Sequence, residues 1–129
     1  MNTEPLSKEI YNEAIELGVT NIILQFEGGH DEGYLYVSLA HKHKFSNLDK
    51  NLNKSQKQTL EKINAFEAKV EEWAWSVYHY SGAGDGQAYG DNIEYDLKNK
   101  TVSTQEWYTS QQYNYGDKEE LQLESLGNE

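Results

Sequence analysis

Apolar residues recur at helical spacing in two stretches of the chain. The first stretch has intervals of four, four and three residues: Leu6, Ile10, Ala14 and Leu17. Such a stripe lies along one face of a helix. Thr3 is suited to capping this helix and Pro5 to its first turn, and Gly18 is suited to the left-handed position that ends one. The pattern predicts a first helix over Pro5 to Leu17, ended by Gly18.

The second stretch carries the strongest helical pattern in the chain. Its apolar positions follow at intervals of three, three, four, three and four residues: Leu60, Ile63, Phe66, Val70, Trp73 and Val77. Ser55 is suited to the N-cap position. Residues 73–78 also alternate as a strand would, but the length of the pattern favours a helix. We predict a second helix from Ser55 to about Tyr78.

Four further stretches are rich in β-branched and aromatic residues or alternate in polarity, which is typical of strands. Two precede the long helix, at 19–26 and 34–39, and two follow it, at 92–97 and 101–108. Even-numbered residues of the first strand are expected to face the core. One face of the third strand carries three apolar residues: Ile93, Tyr95 and Leu97. Each pair is predicted to be an antiparallel hairpin, the second with its turn at 98–100.

The order of these elements, α-β-β-α-β-β, predicts an α+β fold. A four-stranded antiparallel sheet with both helices on one face would bury both helical stripes. We predict a single domain over residues 1–112. Residues 113–129 are polar and acidic, and we expect them to form a flexible tail or a short helix.

Two stretches rich in glycine and aspartate stand out, at 26–33 and 80–91. Each begins at an aromatic residue, places glycines close to an aspartate, and ends near a predicted strand. Glycine supplies positive φ and aspartate bonds its own backbone, so both are typical of turns. We interpret the two stretches as matched turns that direct acidic and aromatic side chains outward from one edge of the sheet.

At these stretches the sequence resembles a family of small uncharacterised bacterial and phage proteins. The matching positions form a strand ending in Gly-Gly-x-Asp-x-Gly and a later glycine-, aspartate- and tyrosine-rich stretch before a hairpin: Gly28, Gly29, Asp31 and Gly33, then Asp85, Gly86, Tyr89, Gly90 and Asp91. The likeness covers residues 19–109. It implies a compact α+β fold, no established activity and no catalytic residues.

The net charge of −11 is unevenly distributed. From His41 to Lys62, six lysines stand against two acids, a local charge of +4, which leaves −15 for the rest of the chain. All eleven basic residues are lysines, whereas arginine is the preferred bidentate partner of phosphate and guanine. The missing arginine and the acidic body argue against direct binding of nucleic acid and favour a basic protein partner.

The chain contains no cysteine, which excludes disulfides and thiolate metal sites. No apolar run approaches the roughly 20 residues that span a bilayer. Met1 to Pro5 lacks the basic start and apolar run of a signal peptide. We therefore expect a cytoplasmic protein, located in the host cytoplasm if a phage encodes it, and no membrane partner.

Oxygen ligands around the second glycine-rich stretch imitate a calcium loop. A loop that starts at Asp85 has Gly90 in its sixth place and Asp96 in its twelfth. However, Gln87 and Tyr89 occupy places where ligands belong, so a hydrogen-bonded turn explains the stretch better. We predict no metal site here.

Histidines and paired carboxylates are the other candidates for chemistry. The four histidines lie near the loops and the second strand, but their spacing matches no known zinc site. Asp31, Glu32 and Asp85 converge only if the two loops are neighbours, and paired carboxylates can perform acid–base chemistry. The sequence has no nucleophile elbow and no phosphate loop. We therefore predict no catalytic residue and no cofactor.

Tyrosines and acids together favour an interaction surface. Ten tyrosines exceed what one small core needs, and tyrosines beside acids suit protein recognition. Rows of acids can imitate a phosphate backbone and occupy the nucleic-acid channel of a basic partner. The predicted contact residues lie in the two glycine-rich stretches and the strand after the second: Glu27, Asp31, Glu32, Asp85, Tyr89, Asp91, Glu94 and Asp96.

The sequence thus predicts a non-enzymatic monomer or dimer that binds a basic protein. In its concrete form it is a phage-type inhibitor that blocks the nucleic-acid groove of a host defence nuclease. One alternative is a metal- or ligand-binding domain whose two glycine-rich loops form one pocket. Another is an accessory protein that assembles through its tyrosine-rich C-terminal segment.

Overall fold

The computed structural model describes residues 3–29, 32–78 and 89–108 and three dipeptides beyond them. The two helices in this part of the chain are α1 and α2: Lys8–Leu17 and Lys54–Val77. The strands β1 to β8 are, in chain order, Leu6–Ser7, Val19–Gly29, Glu32–His41, Tyr89–Asp96, Thr101–Tyr108, Gln112–Tyr113, Glu119–Glu120 and Leu123–Glu124.

Four strands form the body of the sheet, in the spatial order β3-β2-β4-β5. Every neighbouring pair among them is antiparallel. The dipeptides β6 and β7 both pair with β5, one near each of its ends, and β1 pairs with β8 in a separate parallel pair. The predicted α+β fold with its four-stranded antiparallel sheet is therefore confirmed.

The core lies between the sheet and the two helices. The even-numbered residues of β2 face it, as predicted, and Ile22, Leu24 and Phe26 are completely buried. The helices contribute residues to the same buried cluster: Ile10 and Ala14 from α1, and Phe66, Val70 and Ala74 from α2. Burying each of the larger apolar side chains stabilises the fold by about 1.5–3 kcal/mol. Because residues of both helices belong to this one cluster, both helices cover the same face of the sheet.

The first helix begins later than predicted. Ser7, not Thr3, is its N-cap, and its hydroxyl accepts a bond from the backbone N–H of Ile10 at 3.4 Å. Leu6 is fully buried and pairs with Leu123, so this part of the apolar stripe belongs to a strand. The predicted end is confirmed, because Gly18 takes the left-handed conformation with φ 81°.

The second helix is capped at Asn53 rather than at Ser55. The Asn53 side chain accepts from the N–H of Gln56 at 2.8 Å, and the Gln56 side chain accepts from the N–H of Asn53 at 2.9 Å. This reciprocal pair is a capping box, which places Ser55 inside the first turn. The helix continues to Val77, as the length of its pattern predicts.

The first glycine-rich stretch is mostly strand, so the prediction of a loop over 27–33 is wrong. β2 continues to Gly29 and β3 starts at Glu32, with Gly28 directly opposite Gly33. Glycine lowers strand propensity without preventing backbone pairing, and here the pairing prevails. The two residues between these strands in the sequence, His30 and Asp31, lie outside the described residues.

The second glycine-rich stretch lies largely outside the described residues, at 79–88. Its last part belongs to β4, because Tyr89 and Gly90 already pair with β2. The rest of the second hairpin agrees with the prediction. Ile93, Tyr95 and Leu97 are buried together. Lys100 has a positive φ of 54° in the turn that follows.

A closed set of hydrogen bonds ties the start of the chain to the core. The N–H of Glu4 donates to the Tyr78 hydroxyl at 2.8 Å. The hydroxyls of Tyr78 and Tyr95 lie 2.6 Å apart, and the Tyr95 hydroxyl donates to the carbonyl of Glu4 at 2.7 Å. We call these three residues the tyrosine ring. It joins the segment before α1, the end of α2 and the end of β4.

The C-terminal segment was predicted to be a tail or a short helix. Where the structure describes it, at 119–120 and 123–124, the backbone is extended and paired with other strands. β6, at Gln112–Tyr113, crosses the predicted boundary at residue 112 and pairs with Glu106 and Trp107.

Candidate interaction surface

The side of the sheet opposite the helices forms a broad surface, which we call the open face. Successive side chains of a strand point to opposite faces, so the register of the four strands assigns its members. They are Asn21, Ile23, Gln25 and Glu27 of β2; Tyr34, Tyr36, Ser38 and Ala40 of β3; Asn92, Glu94 and Asp96 of β4; and Thr101, Ser103 and Gln105 of β5. All of them are half-buried or exposed.

The charge of the open face has one sign. Among its described side chains, Glu27, Glu94 and Asp96 are the charged ones, and all three are acidic. The predicted contact residues on this surface are these same three. The lysines of the basic stretch lie elsewhere, after β3 and along α2. The sheet therefore presents an acidic side that is separate from the basic part of the chain.

Two tyrosines give the open face an aromatic margin on β3. Tyr34 is 50% exposed and Tyr36 is 52% exposed. Tyr34 pairs with Glu27 across the first hairpin, so an aromatic ring and a carboxylate are neighbours on one surface. The contact residues predicted from the sequence did not include these two tyrosines. The signal was their spacing of two within a strand, which places both on one face.

Hydrogen bonds hold two of the acids in place. Glu94 accepts from the Asn21 side chain at 2.8 Å across the β2–β4 pair. Asp96 accepts from the backbone N–H of Asn99 at 3.1 Å and from the Asn99 side chain at 2.8 Å. Asp96 thus stabilises the turn of the second hairpin as well as contributing charge.

Asp91 does not share this surface, although the sequence placed it among the contact residues. It has the same register parity as Ile93 and Tyr95, and only 7% of it is exposed, on the helix side of the sheet. Burial raises the pKa of its carboxyl, and the Glu106 carboxylate on the neighbouring strand raises that pKa further. A carboxyl in this position does not offer its charge to a partner.

The other predicted contact residues are described in part or not at all. Asp31 and Asp85 lie outside the described residues. The backbone of Glu32 pairs with Gly29 in the first hairpin, and the backbone of Tyr89 pairs with Gly28 at the same end of the sheet. Glu27, Glu32 and Tyr89 therefore belong to strands that end near one another.

Two histidines lie at the end of β3: His41 is its last residue, and His43 comes two residues later. The rings of His41 and His43 are 5.3 Å apart, and His43 Nε2 lies 2.8 Å from the carbonyl oxygen of Leu17. Burial lowers the pKa of His41, and the neighbouring His43 lowers it further. In the described part of the chain, no three histidines or carboxylates converge as metal ligands would. The other two histidines, His30 and His79, lie outside the described residues.

In the part of the chain that the structure describes, hollows lie on the helix side of the molecule. One, of about 540 Å³, is lined by Glu13, Glu16, Leu17, Lys62 and Ala65. The other, of about 290 Å³, lies between the start of α1 and the last turns of α2 and is lined in part by Ile10, Lys69 and Trp73. Neither is lined by a predicted contact residue, so the acids of the open face form a surface rather than part of these hollows.

Within the described residues, neither helix has the length and apolar character needed to cross a membrane. Comparison of the chain with protein families, curated proteins and solved structures finds no match. Arguments about function therefore rest on the open face and on the chemistry of its residues.

Proposed function

We propose that this protein acts by binding a basic protein through its open face, without catalysing a reaction. The observation that supports the proposal is the single sign of charge on that face, where Glu27, Glu94 and Asp96 surround polar side chains. A surface of one sign attracts a partner of the opposite sign and speeds their encounter.

The exposed tyrosines supply the second part of the proposed contact. Tyrosine is enriched at protein interfaces because its ring buries apolar area while its hydroxyl still forms a hydrogen bond. Tyr34 and Tyr36 lie on the same face as Glu27, so one partner can bury the rings and pair with the carboxylate. The half-buried Ile23 adds apolar area at the centre of this face.

The partner that this chemistry suits best is a protein that binds nucleic acid. Such proteins expose grooves lined with lysine and arginine, which neutralise phosphates. Acids and uncharged polar groups on a flat sheet can occupy the same groove. The resemblance to small phage proteins favours a defence nuclease of the host as the enzyme that is blocked.

The test compares two variants with the same change of charge. Glu27→Lys/Glu94→Lys reverses two acids of the open face and leaves Asp96, which holds a turn, unchanged. Glu16→Lys/Glu61→Lys reverses two exposed acids on the helices. Each protein is immobilised and exposed to native host extract, and the captured proteins are eluted with rising salt or with duplex DNA. We expect the open-face variant to lose a basic protein that wild type and the helix variant retain.

The captured protein should also be released by DNA, and its nuclease activity should be inhibited by the wild type. Equal capture by both variants would contradict the proposal, because contact would then not depend on the open face. Capture that neither salt nor DNA reverses would contradict the mimicry, because counterions and phosphates compete for any groove that binds through charge.

A further inference from the structure

We infer that two copies of this chain associate through β3, edge to edge and antiparallel, so that their two sheets continue into one. β3 lies at the end of the sheet order β3-β2-β4-β5, and in the described part of the chain β2 is the strand it pairs with. The inference concerns a second copy of the chain, and it stands independently of the basic partner proposed above.

The direction of the backbone groups of β3 can be assigned. The N–H of Lys42 donates to the Gly18 carbonyl at 2.9 Å, and the Thr20 hydroxyl donates to the Ala40 carbonyl at 3.3 Å. Even-numbered residues therefore direct their backbone groups toward β2. Because these directions alternate along a strand, odd-numbered residues direct theirs away from the sheet. The residues concerned are Gly33, Leu35, Val37, Leu39 and His41.

Within the part of the chain that the structure describes, the outer side of β3 lacks the features that usually keep edge strands apart. Natural edges are blocked by charged side chains, prolines, bulges or covering segments. Residues 34–40 contain no charge, no proline and no glycine, and their register with β2 is continuous from Glu32 to Ala40. The other margin of the four-stranded body differs, because β6 and β7 pair with β5 there.

The sequence of β3 is complementary to itself when it is paired antiparallel. A two-fold axis at Val37, the middle of the five outward residues, lets all of them pair and gives about ten backbone hydrogen bonds. Leu35 then lies opposite Leu39 of the second copy, and Tyr36 lies opposite Ser38. Val37 and Leu39 are only partly buried at the margin of the core, so the pairing would bury their remaining apolar surface.

Charge favours a second copy as the partner and favours this register over one shifted toward Tyr36. With the axis at Val37, the start of β3 in one copy, at Glu32, lies near Lys42, which directly follows β3 in the other, and the arrangement occurs twice. Opposite charges across a strand pair stabilise it. Moving the axis by one residue toward Tyr36 places Glu32 opposite Ala40 and loses both pairs. The basic stretch also follows β3, so antiparallel pairing brings it toward the start of β3 in the second copy.

Cross-linking tests the register directly, because the chain has no cysteine of its own. In the proposed dimer Tyr36 and Ser38 of opposite copies form a non-hydrogen-bonded pair, with Cα atoms about 4.5 Å apart, close enough for a disulfide. Tyr36→Cys/Ser38→Cys should therefore give a covalent dimer on oxidation. Each single variant should stay largely monomeric on a non-reducing gel at the same concentration, since identical positions are not opposed.

Sedimentation of the full chain over a range of concentrations tests the edge. Val37→Pro removes an N–H that points away from β2, and we expect it to weaken dimerisation at least about tenfold. Val37→Ala keeps that N–H and is the matched control, which should weaken dimerisation less. Circular dichroism of both variants shows whether the fold is retained.

A charge exchange keeps the inference testable even if Val37→Pro does not fold. Lys42→Glu should weaken dimerisation about tenfold, since two attractive pairs become repulsive. Glu32→Lys/Lys42→Glu should restore it. A wild type that remains monomeric at about 0.1 mM would overturn the inference. So would a dimer that Val37→Pro leaves intact, or single cysteine variants that cross-link as well as the pair.

Discussion

The tyrosine ring has one consistent direction of donation. A phenol has a single hydrogen, and that of Tyr95 is directed to the carbonyl of Glu4, so the Tyr78 hydroxyl must donate to Tyr95. Each hydroxyl then donates once and accepts once. Burial raises the pKa of Tyr95. Burial also raises the pKa of Tyr78, although the hydrogen bond to Tyr95 lowers it by a smaller amount. Both phenols stay protonated at neutral pH, which suits a structural role.

Tyr95→Phe tests how much the hydrogen bonds among Glu4, Tyr78 and Tyr95 contribute to the free energy of unfolding. It leaves the Glu4 carbonyl and the Tyr78 hydroxyl without their buried partner, so we expect the free energy of unfolding in urea to fall by about 1–3 kcal/mol. Tyr78→Phe should cost a similar amount. The double variant should cost less than the sum, because the second substitution removes a group that the first left unsatisfied. Strict additivity would contradict a coupled ring.

At the scale of single elements, the end of α1 depends on Gly18. Its N–H reaches the carbonyls of Ala14 and Ile15, and its left-handed conformation turns the chain into β2. A Cβ at this position would lie 2.9 Å from the Lys42 side chain and 3.0 Å from the His43 ring. Both neighbours are side-chain atoms, so the strained backbone sets most of the cost of a substitution.

We expect Gly18→Ala to lower the free energy of unfolding by about 1–2 kcal/mol, the usual penalty of a left-handed residue with a Cβ. Gly18→Asn is the matched control, because asparagine tolerates this conformation better and should cost less. Thermal unfolding of both variants measures the difference. Equal losses would indicate that contact with the Lys42 and His43 side chains matters more than the backbone.

Periodicity in the sequence was enough to predict the helices and strands. The residues at which they begin and end were harder to predict, because neighbouring residues are equally suited to cap a helix. Both Asn53 and Ser55 are good caps, and the choice depends on the side chain of Gln56 reaching back. Pairing of Leu6 with Leu123 joins opposite ends of the chain, which no local pattern reveals.

The sequence predicted part of the candidate surface, because strand alternation determines which side chains share a face. Glu27, Glu94 and Asp96 follow strand alternation onto the open face. Asp91 was grouped with them because it belongs to a glycine-rich stretch. Its spacing of two from Ile93 already assigned it to the buried side once β4 was extended to Tyr89. Exposure of Tyr34 and Tyr36 depended on which strand lay at the edge, and strand order is a tertiary property.

Across the whole molecule, the carboxylates on the two faces of the sheet have different kinds of partner. On the helix side Lys69 bridges α2 to α1, with Nζ 2.9 Å from Glu9 and 2.8 Å from Glu13. On the open face the carboxylates of Glu94 and Asp96 accept from asparagine side chains, which carry no charge. Lys69 therefore partly neutralises the acids of α1, whereas an uncharged asparagine holds Glu94 in place on the open face.

The pH dependence of stability should contain a contribution from His41. Its pKa is lowered in the folded protein by burial and by His43, so the unfolded chain binds the proton more readily. Stability should fall as pH drops below about 6.5, the usual pKa of histidine, and level off below the folded pKa. His41→Gln should flatten this part of a plot of melting temperature against pH. An unchanged slope would contradict the assignment.

The position of β2 between β3 and β4 also governs how the chain must fold. Each hairpin joins neighbouring segments, whereas the central seam pairs Asn21 with Asp96 and Gly28 with Tyr89, on either side of the whole of α2. Closing so long a loop costs conformational entropy, and distant pairings slow folding. We therefore expect the two hairpins to form before the seam between β2 and β4, and the pairing of that seam to limit the rate of folding.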